Sequence, residues 1–285
     1  MITASQIASA VSEAIRRVAV ELRPDVLESL RRAVETERSP RGRAVLGQLV
    51  ENAEMAAARR VPLCQDTGIV RVWIELGVEE CLSGDVQSAV DEAVGQAYSS
   101  AGLRMSVVRD ALLDRTNTRD NTPAFVEITQ RPGTGATVHV MLKGGGSDNA
   151  SRLAMLAPAE GWTGISDFVL DTVEATATSA CPPVIVGVGV GGTFDKVASL
   201  SKRALLARLD EKTPDPRIAS MEGELLEAIN ATGIGPAGLG GDMTALGVRI
   251  VSAPCHIAAL PVAVNVGCHS MRSATVEIVD EDART

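Results

Sequence analysis

Residues 123–149 read PAFVEITQRPGTGATVHVMLKGGGSDN, and the period inside this stretch decides the fold class. In PAFVEITQR and GATVHVMLK apolar residues alternate with polar ones, as they do on a half-buried strand. Arg131-Pro132-Gly133-Thr134-Gly135 between them is turn chemistry, so the two runs predict an antiparallel hairpin. KGGGSDN follows directly. Its glycines let successive backbone N–H groups point into one concavity, a nest for carboxylate or phosphate, although a flexible surface loop has the same composition.

Upstream the period is helical. Ile7, Val11, Ile15, Val18 and Leu22 recur at three and four spacings, a second run follows Pro24, and a third covers residues 41–60. Val70, Val72 and Ile74 then alternate as a strand does, and a helix is expected over 85–99. Further helices are expected over 164–179, 195–209 and 215–232, with strands at ALGVRIVSA, LPVAVNV and SATVEIV. The reading is α+β: a helical N-terminal region, then antiparallel sheets flanked by helices. No internal repeat or long linker interrupts residues 1–285, so one domain is expected, with a helical part over 1–60 and a site-bearing part over 61–279. DEDART at 280–285 reads as a solvated tail.

Composition narrows the function. The apolar fraction is 45% and the charged fraction 22%, a globular balance, and with one Tyr, two Trp and three Phe the core must rest on aliphatic side chains. A formal charge of −9 argues against nucleic acid or an anionic membrane as partner. The N-terminus mixes charges with apolar residues, unlike a signal peptide, and no stretch has the length of a membrane span, so a cytoplasmic protein is expected. Cysteines stand at 64, 81, 181, 255 and 268; an odd count in such a chain favours free thiols or metal ligands over a disulfide framework.

Four segments combine residues that a core does not require. PLCQDTG (62–68) puts a thiol, an amide and a carboxylate on one turn, though a turn around a buried cysteine would read the same. KGGGSDN is the second. Cys181-Pro182-Pro183 leads into VIVGVGVGG, where Gly187, Gly189 and Gly192 satisfy G-x-G-x-x-G. A dinucleotide fold would need Asp210 at the end of a second strand, whereas SKRALLARLD has helical spacing. The fourth is Cys255-His256 with LPVAVNVGCH. Structural zinc prefers close Cys pairs, and this chain has none, so its thiols would have to converge from separate loops. Taken singly, His256 reads as well as an ordinary satisfied histidine, and His139 as a strand residue.

PLCQDTG, DNTPA, KGGGSDN, ACPPVIVGVGVGG, GIGPAGLGG and HIAALPVAVNVGCH, in this order, resemble the α part of the class I iron–sulfur fumarate hydratases and the related L-tartrate dehydratases. The resemblance implies a [4Fe–4S] cluster held by Cys64, Cys181 and Cys268, with the fourth iron open to substrate; Cys81 and Cys255 are then spare. It implies that Gln65 and Asp66 line the substrate pocket, with Asp66 serving proton transfer. His256 would bind a substrate carboxylate or handle a proton, Gly145 would offer its N–H to substrate, and His269 would sit behind the cluster. Arg115 is the candidate for the carboxylate-binding arginine, with Arg119 close by. Relatives commonly carry paired arginines after the last cysteine motif; here only Arg272 remains.

The activity implied is reversible hydration of fumarate to malate, with L-tartrate dehydration or a non-catalytic iron–sulfur role as alternatives. In single-chain relatives a β domain follows, and nothing like it stands before Thr285. The resemblance therefore implies an α subunit that needs a separate β subunit, in an α2β2 assembly acting on a small dicarboxylate.

Overall fold

Thr3 shows how local chemistry sets the elements in a computed structural model that describes residues 1–279. Its hydroxyl accepts the Gln6 N–H at 3.2 Å and its own N–H donates to Gln6 Oε1 at 2.8 Å, a reciprocal cap that starts the first helix. The expected tail, 280–285, lies outside the described residues.

Strand β1 (Ile2–Thr3) leads into α1 (Ala4–Val18), α2 (Pro24–Thr36) and α3 (Pro40–Arg59). Next come β2 (Ile69–Gly77), β3 (Leu82–Ser83), α4 (Val86–Ser100), β4 (Phe125–Arg131) and β5 (Ala136–Lys143). A short helix, α5 (Gly145–Asn149), precedes β6 (Arg152–Leu156), α6 (Gly161–Thr176) and β7 (Val184–Gly192). Helices α7 (Phe194–Ala204) and α8 (Pro216–Ala231) follow, and β8 (Ala245–Cys255), β9 (Leu260–Gly267) and β10 (Arg272–Ile278) close the described chain. The fold is α+β. Among the described residues no helix is long and apolar enough to cross a membrane.

The chain forms two compact units, each built from separated segments. Of the described residues the first takes Met1–Arg23, Met55–Gly145 and 272–279; the second takes Pro24–Glu54 and Gly146–Met271. In the first, a sheet of order β10-β5-β2-β4 buries Val70, Val72, Ile74, Val138 and Val140 against Ile7, Val11 and Ile15 of α1 and Val90 and Val94 of α4. Each such side chain stabilises the fold by about 1.5–3 kcal/mol relative to exposure.

The expected hairpin is not formed. β4 and β5 both pair with β2, which lies between them, parallel to β4 and antiparallel to β5. The Pro/Gly link crosses the end of β2 instead of turning tightly: Gly77 N–H donates to Gly135 O at 2.8 Å and Val78 N–H to Arg131 O at 2.9 Å. A Cβ on Gly77 would stand 2.3 Å from Gly133 O, so only glycine lets the link pass.

In the second unit the sheet order is β6-β9-β7-β8, with β7 and β8 parallel and the other pairs antiparallel. Both main sheets thus carry the expected antiparallel pairs together with one parallel pair each, β2 with β4 and β7 with β8; alternation reports which face is buried and not the direction of a neighbour. One face packs Val186 and Val188 against Val169 of α6 and Ile229 of α8. On the other face α7 lies so close to β7 that a Cβ on Gly187 would meet Ser201 O at 2.3 Å and one on Gly189 would meet Val197 O at 2.5 Å. The glycines of G-x-G-x-x-G serve helix-to-strand contact here.

Candidate functional site

In the first unit the PLCQDTG loop joins α3 to β2 and is fastened at several points. Leu63 is buried and its N–H donates to Ala19 O at 2.9 Å. Cys64 is half-buried with Sγ 3.4 Å from Gln65 Oε1, and Gln65 is exposed. The half-buried Asp66 is held by three donors: Gly68 N–H on Oδ1 at 2.9 Å, Gly145 N–H on Oδ2 at 2.8 Å, and Arg272 Nη1 on its backbone oxygen at 2.7 Å. Fixed backbone donors of this kind orient a carboxylate. The glycine nest of KGGGSDN thus receives the protein's own carboxylate through its Gly145 N–H.

Around this loop stand residues to which the sequence reading gave no role. Tyr98 is buried, its hydroxyl 2.9 Å from Gly68 O and 3.1 Å from Thr67 O, while Asn121 Nδ2 donates to Gly68 O at 3.2 Å. Burial, then the nearby Asp66 charge, push the Tyr98 phenol above its ordinary range, with Arg272 opposing. Arg272 is 2% exposed, and among the described residues its Nε has no acceptor. A buried guanidinium spent on one backbone oxygen marks the Asp66 turn as a costly, specified structure. Two signals were available: Tyr98 is the only tyrosine, and Arg272 is the arginine remaining after the last cysteine motif.

Arg115 lies on an exposed loop, with Nη1 donating to Ala111 O at 3.0 Å. Arg119 is also exposed, in left-handed backbone at φ 67. His139, on β5, has Nδ1 2.9 Å from Thr275 Oγ1, a strand-to-strand contact. Cys81 is an exposed free thiol beside β3.

In the second unit Cys181 is exposed, with φ 55, at the entrance to β7. Its backbone oxygen is 3.0 Å from His269 Nδ1, which brings the Cys181 and Cys268 turns together. Because a carbonyl only accepts, this His269 nitrogen carries the proton. Cys268 is half-buried and its Sγ lies 3.2 Å from Ser270 Oγ. In the same unit Asp148 of α5 pairs with Lys202 Nζ at 2.8 Å and accepts from Asn265 Nδ2 at 3.4 Å. His256 sits on the exposed turn between β8 and β9, where its Nδ1 accepts the Ala258 N–H at 3.1 Å. The neutral ring therefore carries its proton on Nε2 and can donate it outward. Cys255 is exposed, with Sγ 3.3 Å from Ala259 O.

None of the five cysteines is in a disulfide. Among the described residues no group of His, Cys, Asp or Glu side chains could hold a single metal ion. An iron–sulfur cluster sets a different demand, because each thiolate takes its own iron and the sulfurs need not converge on a point. On donor chemistry Cys64, Cys181 and Cys268 fit: soft thiols outside any disulfide, none of them fully buried.

Comparison with known proteins agrees in kind. The family model described as fumarate hydratase (Fumerase) matches residues 8–277. A protein of Methanocaldococcus jannaschii named "Putative L(+)-tartrate dehydratase subunit alpha" is 38% identical over 280 residues, covering 96% of this chain and 98% of that protein. The L(+)-tartrate dehydratase subunit alpha of Escherichia coli (strain K12) is 33% identical over 263 residues, covering 91% and 86%.

Proposed function

Since the chain belongs to the fumarate hydratase (Fumerase) family of hydro-lyases, we propose that it is the α subunit of an iron–sulfur hydro-lyase acting on a four-carbon dicarboxylate. The observation that carries this reading is the Asp66 carboxylate, oriented by the Gly68 and Gly145 N–H groups next to the Cys64–Gln65 turn. Fumarate and malate are the substrate pair that the motifs favour. L-Tartrate is the second reading, supported by the names of the relatives, each an α subunit.

Cys64, Cys181 and Cys268 would hold a [4Fe–4S] cluster, which supplies Lewis-acid stabilisation of the leaving hydroxyl and of charge on the substrate carboxylate. The chain's own residues do the rest. Asp66 holds its carboxylate in a fixed orientation and serves as a proton acceptor or orients one. His256 donates from Nε2 to a substrate carboxylate, a role that fits the Nδ1 contact with Ala258. Arg115 neutralises a substrate carboxylate once it exchanges its bond to Ala111 O. Gln65 and Gly145 complete the polar lining. A β subunit brings the remaining substrate contacts, and α2β2 is the assembly expected. A cytoplasmic location fits the oxygen-sensitive cofactor.

The test is anaerobic reconstitution of the chain with iron and sulfide, then addition of the β subunit with fumarate, malate or L-tartrate. A brown protein that turns over one of these acids only with its partner is expected. Cys64→Ser, Cys181→Ser and Cys268→Ser should each lose the cluster absorption. Retention of the cluster by all three variants would sink the ligand assignment. A cluster-loaded mixture inert towards all three acids would leave a non-catalytic iron–sulfur role standing.

A further inference from the structure

GIGPAGLGG, residues 233–241, is given no role in the reading above, yet in the second unit it forms a closed loop with two anchors. The closure is internal. Gly240 N–H donates to Ile234 O at 2.9 Å and Gly235 N–H to Thr244 Oγ1 at 3.0 Å. At its tip the Ala237 N–H donates to Pro182 O at 2.8 Å, the carbonyl next after Cys181.

The other anchor is Glu37, 0% exposed, directly after α2. Its Oε1 accepts the Ser39 N–H at 2.8 Å, and its Oε2 accepts the N–H groups of Asp242 and Met243, each at 2.9 Å. Glycine at 241 is required, because with φ +141 a Cβ there would stand 2.9 Å from Glu37 Oε2. Arg38 completes the grip with a two-pronged bond to Asp242, Nη2 to Oδ1 at 2.6 Å and Nε to Oδ2 at 2.8 Å.

Cys181 needs such support. Its φ of 55 is a left-handed conformation that a side chain adopts only when the surroundings hold it. Pro182 O is fixed by the Ala237 N–H on one side and Cys181 O by His269 on the other. We propose that Glu37 and Arg38 are positioning residues that set the Cys181 thiol through the 233–243 loop. The proposal rests on the reading of Cys181 as a cluster ligand and deepens it. Removing the buried carboxylate strands the Asp242 and Met243 N–H groups, frees the loop and lets the Cys181 turn relax.

The test uses the full chain, free of cluster and under nitrogen, alkylated with iodoacetamide and read cysteine by cysteine by peptide mass spectrometry. In Glu37→Gln the rate at Cys181 should rise severalfold relative to the rate at Cys64, and Arg38→Met should shift the ratio in the same direction by less. After reconstitution both variants should bleach faster in air than the unsubstituted chain. A Cys181 to Cys64 ratio that is unchanged or lowered in both variants, whatever the loss in Tm, overturns the proposal. Should Glu37→Gln not fold, Arg38→Met decides alone, since that side chain is 86% exposed. Cluster retention in Cys181→Ser would remove the ligand reading, whereas the alkylation ratio still decides the clasp.

Discussion

Tyr98 is the only tyrosine in the chain, and its hydroxyl has one proton to share between Thr67 O and Gly68 O. In Tyr98→Phe those carbonyls keep their shape and lose a buried donor, so stability should fall by about 1–2 kcal/mol with an unchanged m-value in urea. The pH dependence has a definite sign. Burial raises the phenol's pKa above the ordinary 10.0, so its contribution is full below pH 10.0 and is lost as pH rises beyond it. The gap in Tm between the wild type and Tyr98→Phe should therefore narrow above pH 10.0 and stay constant below. Asp242 has the opposite sign. The hydrogen bond from Arg38 lowers its carboxyl from 3.8 to about 2, so its contribution is present above 3.8 and lost as pH falls through about 2. Thermal scans of Asp242→Asn should show a constant deficit from neutral to mildly acidic pH that closes between pH 3.8 and about 2. A deficit that persisted at the acid end would mean that the Arg38 bond is not its source.

At the scale of elements, contact distance decides what a glycine does. Gly187→Ala and Gly189→Ala each force α7 off β7, because the new methyl meets the backbone oxygen of Ser201 or Val197; either should cost roughly 3 kcal/mol. Gly47 lies inside α3 with nothing within 4 Å of its would-be Cβ, so Gly47→Ala should stabilise by about 0.5–1 kcal/mol. Chemical denaturation of the three variants checks both signs, and a stabilised Gly187→Ala would refute the close-packing account. The same contrast shows what the sequence made legible. Helix α1 could be read because the Ile7, Val11, Ile15 and Val18 spacing is local and all four are buried. The pairing of β4 could not. Alternation in PAFVEITQR reports a half-buried strand, but which strand lies beside it depends on β2, more than forty residues earlier. The candidate site divides likewise. PLCQDTG and KGGGSDN could each be picked from composition, whereas the Asp66–Gly145 bond that links them comes from strand register, through β2 on β5.

For the whole molecule the consequence is that the first unit is closed by its last segment. β10 pairs with β5 from Arg272↔Leu142 to Ile278↔Ala136, and the same segment delivers Arg272 to the oxygen of Asp66. No local pattern in 272–278 announces this, because SATVEIV could serve any sheet; the discontinuous units arise from pairings of long sequence separation. Val276 packs half-buried against the core shared by α1, α4, β2 and β5. Val276→Asp would set a carboxylate against that apolar surface, a cost of several kcal/mol when the group stays charged. The second unit has its own core of α6, α8, β7, β8 and β9 side chains. Amide exchange should therefore accelerate most in α1, β2 and β5 and least in β7, β8 and β9. Because Arg272 stands at the start of the disturbed strand, the Gly68 amide that caps Asp66 should lose protection with it. Uniform acceleration through both sheets would show that the units open as one cooperative body, and an unchanged first unit would show that β10 does not close it.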